Sequence, residues 1–132
     1  MSDSSNKTNN KSIILHSFYF IHDKSKSGHP GLIIKKDDLN NRYLVIRFDS
    51  DKPGATPKFK RGVKHIVLLN KPIDNRVINS YARSRPMICK RKDIGKHLAD
   101  LTLDPKDIDT INKISKRNPE FSPSLSKKKT PR

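Results

Sequence analysis

Apolar residues recur in short runs with a two-residue beat over most of the chain, a period that predicts strands. Residues 13–21 (Ile-Ile-Leu-His-Ser-Phe-Tyr-Phe-Ile) are rich in β-branched and aromatic types and predict a first strand. A polar turn follows over residues 24–28. Residues 31–35 form a second strand, with Pro30 at its first position, where no ladder N–H is needed. The cluster at 37–41 is a turn. Residues 42–49 form a third strand that makes a hairpin with the second. Pro53, Gly54, Pro57 and Gly62 mark residues 50–62 as a long loop. A fourth strand is expected over 63–69, with shorter apolar pieces at 77–81 and 87–89.

The period changes near the C-terminal end. Asp104-Pro105-Lys106-Asp107 is a helix start: Asp104 caps, Pro105 takes the first helical position, and Asp107 complements the dipole. Ile108, Ile111 and Ile114 then recur at three-residue spacing, giving one apolar stripe. Lys113, Lys116 and Arg117 suit the last turn, and Asn118-Pro119 stops it. Short strands followed by one terminal helix place the chain in the α+β class, as a small β-barrel or open sheet.

Composition narrows the folded part. The chain has 132 residues, which is one domain's worth, and only 32% are hydrophobic. Residues 1–11 offer almost nothing to bury, and 119–132 form a basic, proline-marked tail. Both are expected to be disordered, leaving 12–118 as the domain. The tail serves either as a solubilising arm or as an electrostatic hold on RNA.

Charge narrows the partner. Lys and Arg number 29 against 13 Asp and Glu, a formal charge of +16. Such a chain attracts polyanions: nucleic acid first, then an anionic membrane surface, then an acidic protein. No apolar run is long enough for a membrane span, and residues 1–12 lack the apolar stretch of a signal peptide. The single Cys89 makes neither an internal disulfide nor a zinc cluster, so a reducing, cytoplasmic setting is expected; Cys89 itself is expected to fill core space.

The basic residues gather in two stretches. Residues 52–64 carry Lys52, Lys58, Lys60, Arg61 and Lys64 without an acid; residues 76–96 carry Arg76, Arg83, Arg85, Lys90, Arg91, Lys92 and Lys96 against Asp93. Phe59 sits among the lysines of the first. An aromatic ring between cations either stacks a base while its neighbours hold phosphates, or packs down onto the barrel. Two such stretches flanking one sheet predict a polyanion groove. His29, before Pro30 at the mouth of a hairpin loop, is a candidate general acid or base, since histidine titrates near neutrality. His16, His22, His65 and His97 lack metal-ligand spacing. There is no Gly-rich phosphate loop and no serine triad signature. Asp37, Asp38, Asp49 and Asp51 read as turn residues, so neither a metal site nor a cofactor is expected.

Three segments carry a family resemblance: Gly28-His29-Pro30-Gly31-Leu32-Ile33-Ile34, then Tyr43-Leu44-Val45-Ile46 with Asp49-Ser50, then Ile94-Gly95-Lys96-His97-Leu98-Ala99-Asp100-Leu101-Thr102. In order and content they resemble the MazF/PemK-like toxins over roughly residues 17–116. The resemblance implies an SH3-like barrel, a homodimer, metal-independent ribonuclease activity and a cognate antitoxin. It also implies roles. Arg85, ten residues before Gly95, matches the family's catalytic arginine, with Arg83 as substitute. Ser50 stands where a Thr or Ser follows the third strand. His29 replaces the usual arginine before the proline, and the loop joining the first two strands is short.

The chemistry such a protein needs can be stated without the family. Metal-free RNA cleavage uses the 2′-OH as nucleophile, with a base for its proton, a cation for the crowded phosphate and an acid for the leaving oxygen. Arg85 suits the phosphate because a guanidinium binds two oxygens at once. Ser50 can orient a phosphate oxygen, and His29 can move the proton. Two rival readings remain: a catalytically silent nucleic-acid-binding barrel, and a basic interaction protein with an acidic partner.

Overall fold

The computed structural model describes residues 12–22 and 28–117. The expected arms at 1–11 and 119–132, and most of the turn at 24–28, lie outside the described residues. The chain is α+β. Its strands are β1 (Phe18–Ile21), β2 (His29–Asp37), β3 (Arg42–Asp51), β4 (Ile66–Leu68), β5 (Asn79–Arg83), β6 (Met87–Cys89) and β7 (Ile94–His97), followed by helix α1 (Ile108–Ser115). The pairings are antiparallel, in one seven-stranded sheet of order β4-β5-β3-β2-β1-β7, with β6 also paired to β3.

The sheet is covered on both faces, and strand alternation decides which residue goes where. Phe18, Leu32, Leu44, Ile46, Phe48 and Ala82 pack in one cluster with Leu69, Ile73, Leu101 and the helix residues Ile111 and Ile114. Tyr19, Ile21, Ile33, Tyr43 and Val45 pack in the other with Ile13, Cys89 and Ile94. Two-sided burial explains why Tyr43-Leu44-Val45-Ile46 reads as an unbroken apolar run. Gly31 is needed where the sheet is tightest: a Cβ there would come within 2.5 Å of Ile21 and 2.6 Å of Val45. Cys89 is buried and reduced, and burial pushes its thiol up to about 11.

Several expected boundaries move. The first strand begins only at Phe18, because His16 adopts a left-handed backbone (φ 65°) and gives its N–H to the Ile33 carbonyl at 2.7 Å. Ile13 then plugs the second core instead of extending a strand. The fourth strand shortens because His65 is also left-handed (φ 65°). The piece expected at 77–81 is shifted to Asn79–Arg83, and the third strand runs on to Asp51. Strand β7 was not expected; Gly95 and Lys96 dilute its pattern, and pairing with β1 supplies what propensity does not.

The helix starts as expected. Asp104 accepts the Lys106 N–H, and Pro105–Asp107 form a 3-10 turn that leads into α1. The stripe is narrower than its spacing suggests: Ile111 and Ile114 are buried, whereas Ile108 is 46% exposed. Asp107 does more than face the dipole. It is buried, and its carboxylate accepts the Asn70 N–H at 2.8 Å, the Asn70 amide at 3.1 Å and the Lys71 N–H at 3.2 Å. It thereby fastens the helix to the loop after β4. Asp107→Ala should strand those donors and cost about 1–3 kcal/mol, read as a lower urea midpoint with an unchanged m-value.

Candidate active site

Beyond the apolar run, β3 continues as Arg47-Phe48-Asp49-Ser50-Asp51. Alternation sends Phe48 to the helix-covered core and Arg47, Asp49 and Asp51 to the opposite face. The register Gly31↔Arg47, carried on by two residues, sets His29 across from Asp49. Their side chains meet, His29 Nε2 lying 3.4 Å from Asp49 Oδ1. On the other side, Asp49 pairs with Tyr81 in β5, so Arg83 is its diagonal neighbour. Arg83 Nε lies 2.8 Å from Asp49 Oδ2 and a terminal amino group lies 3.4 Å from Oδ1. Nε is buried and off the line of a good hydrogen bond to Oδ2, so this contact acts chiefly as an ion pair.

A bulge places the next arginine. β3 pairs Phe48 with Ala82 and Val45 with Met87. Between those rungs β3 has only Ile46 and Arg47, whereas the partner chain has Arg83, Ser84, Arg85 and Pro86. The surplus residues bulge outward, as β-bulges beside functional sites do. The bulge is tied down by Ser84, whose N–H reaches the His65 carbonyl at 2.9 Å and whose carbonyl accepts from Arg117 at 3.0 Å. Arg85 emerges exposed, with no ion pair among the described residues. Arg47, His65, Arg83, Arg85 and Met87 line an open cleft of about 290 Å³. Three guanidiniums lining one cleft, only Arg83 of them set against Asp49, make a site suited to an anion.

Asp51 organises the neighbouring basic loop. It is buried and accepts from the Tyr81 hydroxyl, from Asn79 at 3.0 Å and from the Lys58 N–H at 3.1 Å, with the Lys58 ammonium 3.7 Å away. Burial alone would raise this carboxyl. The hydrogen bonds from Tyr81, Asn79 and Lys58, together with the Lys58 charge, outweigh it and hold Asp51 below the ordinary carboxylate range. Burial, then the bond to Asp51, raises Tyr81. The Lys58 ammonium also donates to the Ser50 carbonyl at 2.7 Å. This clamp fixes one end of the 3-10 turn Lys58–Arg61, and Ser50, Lys52, Lys58 and Arg61 line a second cleft of about 430 Å³.

The expected residues therefore divide. His29 and Arg83 meet at Asp49, and Arg85 shares the cleft with Arg83. Ser50 does not join them, because its side chain lies on the other face of β3. Lys52, Lys60, Arg61 and Lys64 are exposed along the loop. Phe59 is 50% exposed, so its ring does not pack down onto the sheet. Lys90, Arg91 and Lys92 sit elsewhere, next to β6, whose Cys89 pairs with Tyr43. Six positions of β3 separate Tyr43 from Asp49, about 20 Å at strand rise. There Arg91 is engaged with Asn41 and the Ile94 carbonyl, both at 2.9 Å. The two basic stretches thus do not form one groove; only Arg83 and Arg85 of the second border the site.

Asp49 and Asp51 are not turn residues but buried strand residues. Arg47 and His65 were missed altogether. The Arg-x-Asp-x-Asp alternation at the end of the third strand was the available signal for Arg47; His65 has none, since the loop that carries it has no period. Among the described residues no cluster of His, Cys, Asp or Glu is arranged to hold a metal ion, and no helix is long and apolar enough to cross a membrane.

No protein-family model and no curated protein matches the chain. Among solved structures it is similar to an endoribonuclease in complex with its cognate antitoxin from a mycobacterial species, at 15% identity and a TM-score of 0.47, over 80% of this chain and 91% of that one. It is similar also to an endoribonuclease from a mycobacterial species, at 14% identity and a TM-score of 0.47, over 80% of this chain and 89% of that one. At such identity, what the site does must be argued from its own side chains.

Because Asp51 is held below its ordinary range, the stability it contributes is present above the unfolded carboxyl value of about 4 and is lost as pH falls through the lower folded value. Asp51→Asn should therefore melt below wild type at neutral pH. The gap should narrow on acidification below that range, as thermal melts across pH would read.

Proposed function

We propose that this protein is a toxin-type endoribonuclease that cuts single-stranded RNA without a metal ion, by attack of the 2′-OH on the adjacent phosphate. The observation that carries the reading is the cleft lined by Arg47, Arg83, Arg85 and His65, which Arg83 links to the His29–Asp49 pair. In the reaction the 2′-oxygen gives up its proton and bonds to phosphorus, and the bond from phosphorus to the 5′-oxygen breaks. That oxygen takes up a proton, leaving a 2′,3′-cyclic phosphate and a 5′-hydroxyl. Arg85, exposed on its bulge, holds the non-bridging oxygens as negative charge builds. Arg47 and Arg83 add positive potential. His29 moves a proton. Ser50, turned to the other face, takes no part.

The loop carrying Lys58, Phe59, Lys60 and Arg61 holds the strand beyond the cut, with the exposed Phe59 ring as a stacking surface for a base. Dependence on the 2′-OH makes DNA a poor substrate. An acidic antitoxin fits the +16 charge, the family resemblance adds a second copy of the chain, and the single Cys89 fits a reducing, cytoplasmic setting. The same exposed loop would also serve a silent RNA-binding barrel, so cleavage is the deciding measurement.

Single-turnover cleavage of long single-stranded RNA in EDTA, with end mapping, tests the reading. Wild type should leave cyclic phosphate ends. Arg85→Ala should lose about 10²–10³ in rate, as removal of one charge-stabilising donor typically does, while RNA retention persists. His29→Ala should flatten one limb of the pH–rate profile. Absence of cutting by folded wild type on varied RNAs, together with no growth arrest on expression, would leave the silent module.

RNA affinity should fall with salt by roughly 0.7 log unit per decade for each phosphate contacted. Charge reversal at Lys58, Lys60 and Arg61 should flatten that slope, measured by filter retention over a salt series; equal retention at low and high salt would rule out an electrostatic groove.

A further inference from the structure

Asp49 is unusual among the buried carboxylates of this chain. Asp51 and Asp107 are occupied with backbone N–H groups and so hold loops in place. Asp49 caps no turn and accepts from no backbone group: among the described residues its polar contacts are His29 and Arg83. Its side chain is only 7% exposed. Burying a carboxylate is costly unless it is paired, and here both partners are side chains of the candidate active site.

We propose that Asp49 is the positioning residue of this site. The inference rests on the endoribonuclease reading for its catalytic consequence, though not for its geometry. The carboxylate has two clients: Oδ1 meets both His29 Nε2 and the Arg83 terminal amino group, each at 3.4 Å, and Oδ2 meets Arg83 Nε at 2.8 Å. Oδ1 faces Nε2 of His29, and an acceptor there keeps the proton of the neutral imidazole on Nε2. Oδ2 faces Arg83, whose charge is thereby matched inside the protein, leaving Arg85 to meet the phosphate. Besides Asp49 on β3, the charged and titratable groups bordering the cleft are Arg47 on the same strand, Arg83 on β5, Arg85 on the bulge and His65 before β4.

Asp49→Asn tests the arrangement because an amide has one oxygen where the carboxylate has two. Arg83 carries only donors, so it should claim that oxygen and leave the amide NH2 facing His29. The ring must then accept at Nε2 and carry its proton on Nδ1. Nitrogen-15 NMR of the imidazole at alkaline pH reads the tautomer directly. The expected result is Nε2–H in wild type and Nδ1–H in Asp49→Asn. Nδ1–H in wild type overturns the proposal without any variant, and so does an unchanged tautomer in a folded Asp49→Asn.

Kinetics then test the consequence. Asp49→Asn should slow single-turnover cleavage by about 10²-fold or more, within the range of a lost proton-transfer group, with RNA retention unchanged. In a His29→Ala background it should add little, because two residues acting as a unit are not additive. A full additional loss in that background overturns the positioning role. If the tautomers behave as expected and wild type cuts no RNA, the geometry of Asp49 stands and the endoribonuclease reading falls.

Discussion

The two-residue period of β3 is the constraint on which the rest depends. From Tyr43 to Ile46 both faces of this strand are buried, so both sides are apolar. From Arg47 onward the helix-covered face stays apolar only at Phe48, while the other face becomes Arg47, Asp49 and Asp51, the two acids buried. A carboxylate in such a position is tolerated only with partners. Each acid therefore fixes cations: Asp49 holds Arg83 beside His29, and Asp51 holds Lys58. One strand thus sets the spacing of a reaction site and of the basic loop next to it.

The platform has to be stiff for that spacing to matter. Two cores grip the sheet, and Gly31 sits so close to Ile21 and Val45 of one of them that no methyl group fits. On the helix side, Asp107 locks the start of α1 to the loop after β4, and Arg117 beyond its end reaches the Ser84 carbonyl in the bulge. The helix therefore contributes to the site without lining the cleft. It closes the apolar core and braces the bulge from which Arg85 projects.

Much of this was legible in the sequence because it is local. The hairpin of β2 and β3, the Asp104-Pro105 helix start and the buried Cys89 follow from period, turn chemistry and capping. Of the residues singled out, His29 and Arg83 meet at Asp49, and Arg85 shares a cleft with Arg83. What escaped was set by pairing. Val63 and Val77 fit strands, yet the left-handed His65 and the register of β5 exclude them. Ser50 and Asp49 are adjacent in sequence and opposite in space, so a motif that named one pointed away from the other. Asp49 and Asp51 resembled turn residues because acids beside a loop usually are. Only the Arg-x-Asp-x-Asp alternation says that a strand continues through them. The separation of Lys90-Arg91-Lys92 from the first basic stretch is likewise a matter of which end of β3 each strand meets.

The cations around the site fall into two physical kinds, and the division has a logic. Lys58 and Arg83 are bound to buried carboxylates, so their positions are set before any ligand arrives and little side-chain entropy remains to be lost. Lys60, Arg61, Lys64 and Arg85 project into solvent with no acid set against them among the described residues. In a chain of +16, leaving every cation unmatched would build repulsion into the fold, whereas matching every one would erase the field that draws a polyanion. Two acids on one face of β3 resolve the conflict. They neutralise the cations nearest the core, where desolvation makes repulsion strongest, and leave the outer ones unmatched. Under the proposed reading, the fixed cations would define where an RNA strand lies, and the exposed ones would supply the attraction that brings it there.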